Sequence, residues 1–237
     1  MMPREIRSLL RPSSDGMNED RILSLPDKRI LVVADGFGGG SSGKAAAERA
    51  CAAVEQFLVH EAGDREATLP FVMRSYFSLA GNVLFNALVH ANRLLLGANS
   101  SRSVNERGGA SVAAAFLDGE VLSVASVGGC SAWFVREGRR APLLIPRTWG
   151  RLEDPTLAGN SGEGRLPMAA LGIAEDLEPE VVEVRVRPGD RIWLGTFEPT
   201  ADELERSLAG LEESGIDENE EKTNTCRLER SWVVWGF

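Results

Sequence analysis

Asp35-Gly36 closes an apolar run, Leu31-Val32-Val33-Ala34, and opens a glycine loop, Phe37-Gly38-Gly39-Gly40. The run has the length and β-branched content of a buried strand, and the glycines mark where such a strand stops. Asp35 then sits at a strand end, where a rigid element can aim a carboxylate at a ligand. Gly36 has no Cβ, so its carbonyl is open to close approach. A carboxylate beside an exposed carbonyl oxygen suits a hard cation such as Mg²⁺ or Mn²⁺. A strand followed by an ordinary turn accounts for the same residues equally well.

Other chemistry-bearing residues form weaker patterns. Gly38, Gly43 and Lys44 fit Gly-x-x-x-x-Gly-Lys, but Ala45 stands where a phosphate-binding loop needs a hydroxyl for Mg²⁺. His60 and His90 fall in expected helices, with no Cys, His or carboxylate at metal-ligand spacing, which suits structural or surface roles. Cys51, Cys130 and Cys226 are scattered and odd in number. They read as free thiols in a reducing compartment, with the cytoplasm as the default.

The elements that must position these residues follow from periodicity. Arg4–Leu25 is mixed and turn-rich, and Arg29–Ala34 is a strand. Lys44–Glu61 is a helix, with Ala47, Cys51, Val54 and Leu58 on one face. Pro70 can open a longer helix to about Leu96, apolar on more than one side and so packed on two faces. Asn99–Gly108 is a polar loop. Ala110–Leu117, Asp118-Gly119 and Val121–Val127 then read as a hairpin. Strands follow at Ala132–Arg136 and Leu143–Ile145, separated by a Gly-Arg-Arg turn, and Arg147–Gly164 is irregular. Val181–Val186, Pro188-Gly189-Asp190 and Arg191–Leu194 form a strand–turn–strand. Thr200 and Glu203 frame a capping box for an acidic helix. An acidic linker, Asp217–Glu221, precedes a last strand, Ser231–Trp235.

Residues 1–237 are expected to form one continuous domain. A hydrophobic content of 43% is enough for a sizeable core. The net charge of −9 argues against nucleic acid or an anionic membrane as the main partner. No stretch approaches a membrane span, and the first residues lack the apolar core of a secretory signal.

Seven segments, in order, resemble the type 2C metal-dependent protein Ser/Thr phosphatases, including the bacterial stage II sporulation E-like branch. They are Gly16-Met17-Asn18-Glu19-Asp20, Val33-Ala34-Asp35-Gly36-Phe37-Gly38-Gly39, Gly108-Gly109-Ala110-Ser111 and Ala125-Ser126-Val127-Gly128-Gly129-Cys130-Ser131-Ala132-Trp133. Ala170-Leu171-Gly172, Pro188-Gly189-Asp190-Arg191-Ile192-Trp193-Leu194 and Glu229-Arg230-Ser231-Trp232-Val233-Val234 complete the set. The resemblance implies an α+β four-layer sandwich: two antiparallel sheets face to face, flanked by helix pairs, with a metal site at one end. It implies a phosphoserine/phosphothreonine phosphatase whose bridging aspartate holds two Mg²⁺ or Mn²⁺ ions that activate water. Asp35 matches that aspartate, Gly36 the carbonyl ligand, and Glu19 and Asp20 the acidic pair that orients metal-bound water.

Several departures accompany the match. The family's Ser-Asp-Gly reads Thr196-Phe197-Glu198, so Phe197 stands at a ligand position. Leu228 precedes Glu229 where an aspartate ligand is expected, and Gly129 replaces the aspartate of Val-Gly-Asp-Ser-Arg. Asp15 occupies the place of a phosphate-gripping arginine, with Arg11 nearby. Two divalent ions about 4 Å apart repel by roughly 16 kcal/mol at an effective dielectric near 20, four times the unit-charge figure of about 4. Without Phe197 and Leu228 as carboxylates, a tight two-ion centre is hard to sustain. One weakly held Mg²⁺ or Mn²⁺ at Asp35, Gly36 and Asp20, or none, is the expectation. Glu198 or Glu229 rescues the site only if the backbone shifts, because neighbouring strand residues face opposite sides. The expected function is a pseudophosphatase that binds a phosphoprotein or regulatory protein in signalling. The alternative is an active phosphatase with a rearranged site.

Overall fold

The computed structural model describes residues 2–10, 18–38, 41–63, 73–155, 165–209 and 230–237. Its layers follow from the alternation of side chains along β3 (Ile30–Gly38). Leu31 and Val33 enter one apolar cluster, Ile30, Val32 and Ala34 another, and all five are buried. A strand buried on both faces must be covered on both.

β3 lies in a five-stranded antiparallel sheet with β2 (Asp20–Leu25), β4 (Gly108–Asp118), β5 (Val121–Val127) and β8 (Glu180–Arg185), in the order β2-β3-β4-β5-β8. One face carries α1 (Ser42–Gly63) and α2 (Leu79–Asn99), which pack through Ala47, Val54, Leu84 and Leu88. The other face meets a second sheet through Leu31, Val33, Ala113, Ala115 and Val124. That sheet has the order β1-β10-β9-β6-β7, formed by β1 (Arg4–Leu9), β10 (Trp232–Gly236), β9 (Arg191–Gly195), β6 (Ser131–Arg136) and β7 (Arg139–Leu144). Alanines at 113, 114 and 115 let both covering layers approach β4 closely. Trp193, Trp232 and Val234 form the outer face of the second sheet, covered by α4 (Ala201–Ala209) through Leu204. The Trp235 indole donates to Ser24 Oγ at 2.9 Å and ties the two sheets together.

The expected four-layer α+β sandwich is therefore present. α4 is the outer helix on the second sheet among the described residues. The Asp118-Gly119 hairpin and the Thr200/Glu203 capping box form as the sequence predicts. Several boundaries differ. β3 runs past Ala34 to Gly38, because Gly108 and Gly109 pair opposite Gly38 and Phe37. The turn before β7 is Glu137-Gly138, both at positive φ as a two-residue hairpin requires, so Arg139 and Arg140 belong to the strand. The Arg4–Leu25 region contains β1 and β2, each at a sheet edge. α2 starts at Leu79 behind the Ser78 cap, with turns before it, and the Pro70 start falls outside the described residues. The region from Arg147 contains a short helix, α3 (Trp149–Glu153). β8 and β9 lie in different sheets, so Pro188-Gly189-Asp190 is a crossover between layers. The acidic linker lies outside the described residues.

Asp190 anchors that crossover. Its buried carboxylate accepts from Arg136 Nε and Nη2 at 2.9 and 2.6 Å and from the Arg187 N–H at 2.7 Å. Burial opposes ionisation, but these bonds prevail and hold the carboxyl below its ordinary range. A lowered carboxyl pKa gives stability that is present above the unfolded-state value and lost as pH falls through the folded-state value. Asp190→Asn should cost about 2 kcal/mol at neutral pH, and the penalty should shrink below about pH 4. Urea denaturation of both proteins at the two pH values checks this.

Candidate functional site

Register and parity bring the predicted acids together. Asp20 pairs directly with Asp35 across β2 and β3, and Asp35 pairs with Ser111 on β4. Asp35 follows Leu31 and Val33 on the face between the sheets, and Asp20 shares that face with Ile22. The two carboxylates thus meet at one end of the sandwich, Asp20 buried and Asp35 partly so. Like charges opposite each other on neighbouring strands are unfavourable, by about 4 kcal/mol at 4 Å and an effective dielectric of 20. Thr196 Oγ1 donates to Asp20 Oδ2 at 2.9 Å across the two sheets, and the Asp20 N–H donates to Asn18 Oδ1 at 2.8 Å. Cys130 is buried beside them, and burial, then the Asp35 and Asp20 carboxylates, push its thiol well above the ordinary value. Such a thiol is a poor nucleophile.

Gly36 and Glu19 have packing reasons of their own. The Gly36 N–H donates to the Glu19 carbonyl at 3.2 Å. A Cβ on Gly36 would overlap the Gly43 carbonyl in the first turn of α1, and one on Gly43 would overlap the Glu19 carboxylate. These two glycines let β3 and α1 touch backbone to backbone. The Glu19 carboxylate thereby lies at the N-terminal end of α1, where the helix dipole favours negative charge. It also fills ground that a phosphate-binding loop would leave for its anion.

The Thr196-Phe197-Glu198 segment departs from the sequence expectation in an informative way. Ile192 and Leu194 face the other sheet, whereas Trp193 faces outward, and the alternation continues past β9. Thr196 therefore faces Asp20, while Phe197 packs outward with Trp193, Leu204 and Trp232. The Phe197 and Trp193 rings meet edge-on at 5.5 Å. Glu198 is ion-paired with Arg151 of α3, and Arg230 is ion-paired with Glu203 while its guanidinium lies 5.3 Å from the Phe197 ring. Ser231 Oγ is buried without a hydrogen-bond partner, beside Thr196.

Arg165 completes the surroundings. Its side chain is partly buried, and its guanidinium lies within electrostatic reach of Asp35, Arg230 and Asp20. Burial lowers its pKa from the ordinary value, Asp35 and Asp20 oppose that change, and Arg230 adds to it. An arginine stays charged under any such shift. The following residues are fixed by backbone bonds: Trp149 N–H to the Leu166 carbonyl at 3.0 Å and Met168 N–H to the Arg147 carbonyl at 3.0 Å.

A two-ion centre does not fit these residues. Such a centre needs several carboxylates around Asp35, yet the described residues contain no group of three or more His, Cys, Asp or Glu able to hold a metal. Glu198 is held by Arg151 and Thr196 presents a hydroxyl. Gly129 has only Ser111 Oγ near its missing Cβ, at 3.6 Å, so packing does not demand a glycine there. Asp15, Arg11, Leu228 and Glu229 lie outside the described residues. His60 and His90 lie on α1 and α2, with His90 against Phe57. Sequence reasoning missed Arg165 and the role of Thr196. Parity along β9 was the available signal for Thr196; nothing local marked Arg165.

Solved structures share this architecture over the whole chain. The Mycobacterium tuberculosis Ser/Thr phosphatase PstP/Ppp superposes with a TM-score of 0.74 at 19% identity, covering 100% of this chain and 99% of that one. PppA of Pseudomonas aeruginosa, described as a regulatory component of T6SS, gives 0.71 at 19%, with 100% and 99% covered. The PstP catalytic domain in complex with two manganese ions gives 0.69 at 19%, with 99% and 98% covered. No family model and no curated protein sequence matches the chain. The fold is that of the type 2C Ser/Thr phosphatases. Restoring the family's residue type with Phe197→Asp should destabilise the protein by at least about 3 kcal/mol, because the carboxylate enters the outer apolar layer. Urea denaturation measures the loss, and an unchanged midpoint would contradict the assigned orientation.

Proposed function

We propose that this chain is a phosphatase-fold protein that binds a phosphoprotein or regulatory partner in signalling and does not hydrolyse it by the two-ion route. The supporting observation is the set of side chains around the aspartate pair. Thr196, Ser111 and Cys130 adjoin Asp20 and Asp35, and none of them is a carboxylate. Metal-activated water requires an ion to lower the pKa of the water and to neutralise charge on the phosphoryl oxygens. Asp35, Asp20 and the Gly36 carbonyl suffice for one weakly held Mg²⁺ or Mn²⁺ at most.

A binding role is supported by the surface next to the site. Ile145, Trp149, Leu152, Leu166 and Met168 are exposed on the paired stretches that lead to Arg165. Large apolar side chains exposed together suit a protein partner. With millimolar Mn²⁺ or Mg²⁺, hydrolysis of an aryl phosphate should remain at the protein-free background for wild type and Asp35→Asn alike. Robust metal-dependent turnover that Asp35→Asn abolishes would establish the active, rearranged phosphatase instead.

A further inference from the structure

We infer that the outer face of the second sheet is a docking surface for an acidic amphipathic helix, and that α4 is its resident, displaceable occupant. The surface faces away from Asp20 and Asp35, so the inference does not depend on whether the chain hydrolyses phosphate. Its floor is aromatic. Trp133 and Trp193 pair directly across β6 and β9. Trp193, Phe197, Trp232 and Val234 form one apolar cluster with Leu204 of α4, and Trp133 and Leu208 pack against it. The Nε1–H groups of Trp133 and Trp193 are both buried and make no hydrogen bond. A buried indole ordinarily finds an acceptor, and one left without loses its hydration for nothing. The present cover therefore leaves two donors unsatisfied that another occupant can use.

Three arginines from separate places in the sheet hold α4 by its oxygens. Arg230, next to β10, pairs with Glu203; Arg140 of β7 pairs with Glu205 at 3.2 Å; and Arg191 of β9 donates to the Leu208 carbonyl at 3.0 Å. Arg140 and Arg191 flank Val135 in one cross-strand row, so the sheet and not the helix sets their places. An aromatic floor framed by guanidiniums selects a helix that carries carboxylates beside its apolar stripe. The hold on α4 itself is light. A helix of 9 residues does not persist alone. Of its apolar side chains Leu204 alone is fully buried, and the Glu205 side chain in its ion pair is 64% exposed. A longer helix with the same Leu-x-x-x-Leu spacing and flanking acids gains contacts that α4 lacks.

Hydrogen exchange and a peptide titration on the full chain test the inference. In wild type, the α4 amides should exchange by local opening, ahead of those of β3 and β4. Arg191→Ala should speed α4 exchange about tenfold or more and leave β3 and β4 unchanged. The probe is a labelled peptide of residues 199–209. It should bind Leu204→Ala protein, whose own α4 is loosened, at least about tenfold more tightly than wild type. The same peptide with Glu203→Gln and Glu205→Gln should bind at least about tenfold more weakly. If Leu204→Ala does not fold, Glu205→Gln protein takes its place in the titration. Exchange of α4 in step with β3 in wild type, absence of peptide binding, or binding indifferent to the two glutamates would each overturn the inference.

Discussion

Two carboxylates held opposite each other on adjacent strands repel, and the backbone ladder gives them no way to part. Asp20 and Asp35 are in register, with Ile22 facing Val33 two residues further along. Shifting the register would relieve the repulsion but would move every apolar side chain of β2 to the wrong face. The acids are therefore fixed by the same packing that builds the core, and compensation must come from their surroundings. Thr196 reaches Asp20 from the second sheet and donates to its carboxylate.

Parity decides which side chains can take part. Along β9 and the residues after it, even positions face the first sheet and odd positions face α4. Residues one place apart therefore point to opposite sides of the sheet. Glu198 has the right parity, but Arg151 engages it, which ties α3 to the loop after β9. Phe197 has the wrong parity, so it extends the outer apolar layer and leaves the acids' own face to Thr196. Near-matches of residue type with a motif can thus conceal a reversal of direction.

Local features of the fold were legible in the sequence where local chemistry sets them. Asp118-Gly119 turns a hairpin, Thr200 and Glu203 cap a helix, and the apolar run before Asp35 forms a strand. β1 and β2 were hidden because short edge strands bury few side chains and carry a mixed pattern. The extension of β3 to Gly38 depends on Gly108 and Gly109, far away in sequence. Motif order revealed the sandwich, and the strand pairing sets Asp20 opposite Asp35. Arg165 could not be found in this way, because it lies outside the seven matching segments.

The second sheet seats β10 between β1 and β9, so the strand nearest the start of the chain pairs with the last one. During synthesis β1 emerges long before β10, its neighbour among the described residues, while the first sheet and its helices can already assemble. Closing that sheet is then a late, long-range step, slow by virtue of the chain separation it spans. Until it occurs, the inner face of the first sheet lacks part of its cover and Asp20 lacks the environment that Thr196 and Ser231 complete. The acid pair thus forms with the first sheet but is covered among the last parts of the molecule, while an apolar face that invites chaperone contact stays exposed.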